Sequence, residues 1–190
     1  MPYEDPPPGS VLAVGTEVGE RAWEVFPGGV CIDEPPWAHK EAVAQTASLI
    51  ESDNAPAIFE AAFEYDGVRI RADVLERKEN DRWALYEVKS TTRVKDEHVH
   101  DLAVQVHVIR ESGLKLDSYG IMHIDKNYVL AENGIDWAAY FCVGDLTDQL
   151  DQALSDTPGL IREVYASLVG CLENRVVRCN KCNAPVDKIV

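Results

Sequence analysis

Two acids and a lysine stand at the ends of neighbouring strand-like runs. Asp73 closes one run, and Glu87 and Lys89 lie on the next. Side chains in a strand alternate between faces, so Glu87 and Lys89, two residues apart, point the same way. If the two runs pair as a hairpin, Asp73 comes close enough to Glu87 to complete a cluster of two carboxylates and one lysine. Such a cluster suits a hard divalent cation beside a water or a phosphate. Acids and a lysine are also common on solvent-facing strand positions. Here, however, Glu87 and Lys89 interleave with Tyr86 and Val88 in a run that follows Leu85 and reads as a core strand. Charged groups are seldom buried unless paired or metal-bound. Ser90, Thr91 and Thr92 put the cluster near a strand terminus, where sites on α/β sheets gather.

The elements that must hold these groups are legible on either side. Residues 58–65, 68–76 and 83–91 read as a three-stranded meander, turned at Asp66–Gly67 and again over Lys78–Asp81. The Asp-Gly pair tolerates the positive φ that tight hairpins need. In the second strand Val68, Ile70, Ala72 and Val74 share one face, leaving Arg69, Arg71 and Asp73 on the other. Asp96 is placed to cap a helix over 97–112, with Leu102, Val106 and Ile109 as its apolar stripe and Gln105 on it. Upstream, Thr16 is expected to cap a helix whose apolar face is Val18, Ala22, Val25 and Phe26. A second helix follows Pro35–Pro36 and stops at Asp53, Asn54 and Pro56. Downstream, 118–124 reads as a buried strand and 128–131 as a shorter one. Two helical runs are then expected, parted by Thr157–Pro158 as a cap and first-turn proline. The order predicts an α/β fold around a mixed central sheet, the antiparallel meander plus further strands, flanked by helices.

With 190 residues, 46% of them hydrophobic, the chain suits one domain: a flexible lead-in over 1–10, a domain over 11–174 and a cysteine-containing tail over 175–190. No apolar run suits a membrane span, and the acidic, proline-rich start lacks a signal-peptide pattern. Five unevenly spread cysteines predict a reduced, cytoplasmic protein. A net charge of −15 excludes a broad electrostatic hold on nucleic acid, so contact with DNA has to be local, cation-assisted or supplied by a partner protein or further domain. Neither a Gly-rich phosphate loop nor a serine nucleophile elbow occurs, which disfavours nucleotide hydrolases and acyl transferases.

The run Ile70–Asp73, followed by Tyr86, Glu87, Val88, Lys89 and Ser90, resembles the core of the PD-(D/E)xK nuclease superfamily. Gln105 on the following helix is similar to the glutamine motif of its RecB-like, CRISPR-associated exonuclease branch. The stretch from Gly15 to Tyr140 looks like a bacterial family of uncharacterised proteins that carries this core. The resemblance implies a restriction-endonuclease-like fold and a Mg²⁺- or Mn²⁺-dependent DNA nuclease, exonuclease-like, acting on single strands or ends. It implies that Asp73, Glu87 and the main-chain carbonyl of Val88 bind the metal, that Lys89 orients or activates the attacking water, and that Gln105 positions Lys89 or the phosphate. Glu60 and Glu20 are candidates for an outer metal contact and read equally well as solvent-facing glutamates. The chain departs from the branch at two places. Gly19 stands where a first-helix histidine ligand is usual, and Ile109 where an aromatic residue follows the glutamine. A catalytically idle copy of the fold, binding nucleic acid or a protein, is the alternative.

Cys179 and Cys182 have zinc or iron–sulfur spacing, and the exonuclease branch often holds a [4Fe–4S] cluster on one early and three late cysteines. Cys31, Cys171, Cys179 and Cys182 imitate that set, although one C-x-x-C supplies half a site. His98, His100, His107 and His123 read as surface or core residues before they read as ligands.

Overall fold

The computed structural model describes Pro7 and residues 9–52, 54–132 and 134–174. It is an α/β structure. One sheet of six strands runs in chain order: β1 (Val30–Cys31), β2 (Ala57–Tyr65), β3 (Val68–Arg77), β4 (Trp83–Lys89), β5 (Leu116–Ile124) and β6 (Phe141–Asp145). The β2–β3–β4 meander is antiparallel, β1 is parallel to β2, β4 is parallel to β5, and β6 closes the far edge antiparallel to β5. Each parallel step needs a crossover. Helix α2 (His39–Ser52) makes the first and α3 (Asp96–Glu111) the second.

Helices cover both faces of the sheet. On one side Ala42 of α2, Leu102, Val106 and Ile109 of α3, and Leu150 pack against Ile58, Leu75, Leu85 and Ile121. On the other side α1 (Val11–Trp23) lays Val18, Ala22 and Trp23 over Met122, Phe59 and Val74. No helix among the described residues is long and apolar enough to cross a membrane.

Four local readings are corrected. Helix α1 starts before Thr16: Ser10 caps it by accepting from Ala13 N at 3.2 Å, and the Thr16 hydroxyl instead donates to Leu12 O at 3.1 Å. The N-cap of α3 is Lys95, whose N–H donates to His98 Nδ1 at 3.3 Å, while Asp96 sits in the first turn, where its charge suits the helix dipole. The short strand expected over 128–131 is absent. The four-residue α4 (Trp137–Tyr140) leads instead into β6, whose close approach to β5 depends on two glycines: a Cβ on Gly120 would meet Gly144 O at 2.7 Å. The two late helices are one, α5 (Asp151–Asn174), which passes through Pro158; the Thr157 hydroxyl turns back onto Ala153 O at 2.7 Å rather than capping a new helix.

Candidate functional site

The alternation of β3 slips at Asp73. Ala72 packs on the α3 side and Val74 on the α1 side, although they are two residues apart, and their partners Ala61 and Phe59 divide in the same way. Val74 therefore leaves the face that the period-two pattern assigned to it. The cause lies across the ladder at Glu60, the residue between those two partners, which has φ +55°. A left-handed backbone on a non-glycine residue inside a strand is strained, and such residues concentrate at functional sites.

On the other side of Asp73, the β3–β4 pairing ends at Val74 and Tyr86. One rung further on, a carboxylate replaces the missing ladder: Asp73 Oδ2 accepts Val88 N–H at 2.7 Å. Asp73, Val88 and Glu60 line a cavity of 760 Å³, walled by α1 through Glu20 and Trp23 and by the segment after β1. The sheet and α1 thus bring three of the expected acids, Glu20, Glu60 and Asp73, to one space. Arg71 enters the same space, and its guanidinium is tied to the carbonyls of Glu34 at 2.8 Å, Glu60 at 3.2 Å and Ile32 at 3.4 Å. It pins the loop after β1 to the strained residue.

Glu87 and Lys89 point the same way, toward α3. Lys89 Nζ meets Glu87 Oε1 at 2.9 Å, and Gln105 Nε2 donates to the other oxygen, Glu87 Oε2. Glu87 is 8% exposed and Gln105 9%, so this carboxylate is held almost out of water by an ammonium and an amide. It stands outside the cavity lining. Asp101, one helical turn before Gln105, takes Lys89 from the outside, Oδ2 to Nζ at 3.1 Å. Sequence reasoning missed Asp101, and its i,i+4 spacing from Gln105 was the available signal. Buried His98, on the same side of α3, has its proton affinity lowered by desolvation and by the nearby Lys89 charge.

Charge is unevenly balanced. Burial, then the charge of Glu87, pushes the Asp73 carboxyl well above the usual aspartate range; the Val88 N–H and Lys89 oppose this, and Glu60 adds to it. Glu60 is also raised, first by burial and then by Glu87, against the pull of Arg71. Burial works against the Lys89 charge, but Glu87 and Asp101 outweigh it, so the ammonium holds its proton more tightly than an ordinary lysine. It is a cation at neutral pH and unsuited to act as a general base.

The donor set fits a hard divalent cation in its chemistry: carboxylate oxygens crowded beyond the cationic charge available to them, next to the main chain of Val88. The buried Gln105 Oε1, which has no hydrogen-bond partner, marks a second unmet demand. Among the described residues, no three His, Cys, Asp or Glu side chains already stand at ligand spacing.

Cys31 is a free thiol in the cavity, pushed up to about 11 by burial and then by Glu60 and Asp33. Cys171 falls within α5, and Cys179 and Cys182 lie outside the described residues. Among the histidines, His107 stacks edge-on against Tyr65, and His123 lies 3.4 Å from the thiol of Cys142.

Compared with known proteins, the chain matches no family model, no curated protein and no solved structure.

Proposed function

We propose that this protein is a Mg²⁺- or Mn²⁺-dependent DNA nuclease of the restriction-endonuclease-like type, hydrolysing phosphodiesters on single strands or ends. The observation that carries the reading is the rung of Asp73 and Glu87: acids on adjacent strands, one opening to the cavity and one tied to Lys89 and Gln105, with burial and mutual repulsion raising Asp73. An acidic surface tolerates a phosphate only where its charge is locally offset. Asp73, Glu87 and the Val88 carbonyl would hold the cation, with Glu60 and Glu20 in outer contact. When bound, the cation lowers the pKa of a water and offsets charge on the phosphodiester. Lys89 Nζ, as a preorganised ammonium, donates to the oxygen on which charge develops. Gln105 positions Glu87, and the Asp73 bond to Val88 N–H fixes the carboxylate at the mouth of the ladder.

The test is cleavage of end-labelled single- and double-stranded oligonucleotides with Mg²⁺, with Mn²⁺ and with chelator, for wild type, Asp73→Asn and Glu87→Gln. Cleavage that needs the cation and falls at least about 100-fold in both variants supports the reading. Cleavage unchanged in the variants, or none with either cation, overturns it.

One observation favours a second reading. Both oxygens of Glu87 are already engaged, and the residue stands outside the cavity lining. A module that binds nucleic acid or a protein without cutting would need no more than this, and it predicts ligand binding with no cation-dependent cleavage.

A further inference from the structure

Three of the four tryptophans are accounted for by packing. Trp83 is buried in the main core, Trp23 stacks on Phe59 with centroids 5.1 Å apart, and Trp137 carries the guanidinium of Arg21 at 5.3 Å. Trp37 is 76% exposed. It sits in a single 3-10 turn, Pro36–Ala38, closed by Ala38 N–H donating to Pro35 O at 2.8 Å. Pro35 and Pro36 before it and His39 after it line the 760 Å³ cavity, so the backbone that carries Trp37 runs along the edge of that cavity. The two prolines hold this backbone with little freedom, and the side chain of His39 is anchored to Phe63 O at 3.2 Å. A large apolar ring is thus exposed to water on a stiffened stretch of backbone that borders the cavity holding Asp73.

We propose that Trp37 is a base-stacking residue, which takes the face of an unpaired base on a single-stranded DNA segment whose backbone enters the acidic cavity. The inference rests on the nuclease reading for the identity of the polymer and adds how it is held. A chain of net charge −15 has no broad electrostatic hold on phosphates, and the guanidinium of Arg71 in the cavity is already hydrogen-bonded to three backbone carbonyls. Beyond the local, cation-assisted contact, affinity needs a term insensitive to charge. Aromatic stacking supplies it, because every base has a π-face. A paired base has both faces covered by its neighbours, so the same ring discriminates against duplex.

The experiment uses the full chain with Ca²⁺ in place of Mg²⁺, a hard cation that still offsets phosphate charge, and titrates it with oligodeoxythymidylate, with an abasic oligomer of equal length and with a duplex, checking on a gel that the strands stay intact. Trp37→Ala and Trp37→Phe are run beside wild type. Quenching of indole fluorescence by oligodeoxythymidylate is expected, with little from the abasic strand or the duplex. Trp37→Ala should lose the quench and bind on the order of tenfold more weakly by anisotropy of a labelled strand. Trp37→Phe should restore most of the affinity. Equal affinity of wild type and Trp37→Ala, equal affinity for base-bearing and abasic strands, or no binding by wild type overturns the proposal. Cleavage in Mn²⁺ with unchanged binding by Trp37→Ala would sink the stacking role and leave the nuclease reading standing. Binding of the expected kind without cleavage would do the reverse.

Discussion

Asp73 joins β3 to β4 through its side chain: Oδ2 accepts the Val88 N–H at 2.7 Å just beyond the last paired rung, Val74 with Tyr86. A neutral amide can keep that bond through its own oxygen, whereas a methyl group cannot. Asp73→Asn should therefore fold as stably as wild type or more so, because it removes a crowded carboxylate and keeps the bridge. Asp73→Ala should lose about 1–3 kcal/mol from the unpaired N–H. Urea unfolding of both variants checks this, and equal stability of the two would mean that the bridge contributes nothing. Neither variant should cleave.

The raised proton affinity of Asp73 sets a pH dependence. A carboxyl whose folded pKa exceeds its unfolded one binds protons more readily in the native state. Its stabilising contribution is therefore complete below the ordinary aspartate value of about 4 and is lost as pH rises through the raised value. In chelator, the stability of wild type relative to Asp73→Asn should accordingly fall on going from pH 4 toward neutrality. Melting curves at several pH values test it, and a difference independent of pH would contradict the burial and crowding of this carboxyl.

Lys89 and its two carboxylates make a contrast. Glu87 is nearly buried and Asp101 half exposed, so the inner pair matters and the outer one is screened. Asp101→Asn should change stability by less than about 1 kcal/mol. Lys89→Ala should lower cleavage by about two orders of magnitude or more while the circular dichroism stays native. If Asp101→Asn were as damaging as Lys89→Ala, the outer carboxylate would be the one that places the ammonium.

Gln105 is neutral at a place where a charge would be costly. Gln105→Glu puts a further carboxylate against Glu87, whose other oxygen already holds the Lys89 ammonium. A loss of about 3 kcal/mol or more in chelator is expected, recovered in part by added Mn²⁺. A variant as stable as wild type would show that water reaches this site freely.

The meander, its two turns and α3 were legible because they obey simple periods: alternation along β3, the Asp66–Gly67 pair, and Leu102, Val106 and Ile109 at helical spacing. The pairing of Glu87 with Lys89 followed from the same alternation. Four features lay beyond that logic. The slip at Glu60 and Asp73 is a backbone event that no residue type announces. Asp101 gains its role only when α3 docks. Strand β6 is five residues at an edge, and its pairing depends on Gly120 and Gly144 meeting across the chain. The continuous α5 overrode a helix-breaking proline by tertiary packing of its first half on α3.

The left-handed backbone of Glu60 costs this part of the sheet some resistance to heat. Glycine would adopt that φ without strain, recovering on the order of 1 kcal/mol, and an uncharged residue would also escape the burial that raises the glutamate. The same holds for Asp73 against its neighbouring acids. In a random library selected only for survival on heating, with no substrate present, position 60 should drift toward glycine and position 73 toward asparagine, which keeps the bridge to Val88, so the pattern of winners would trace the cavity from stability alone.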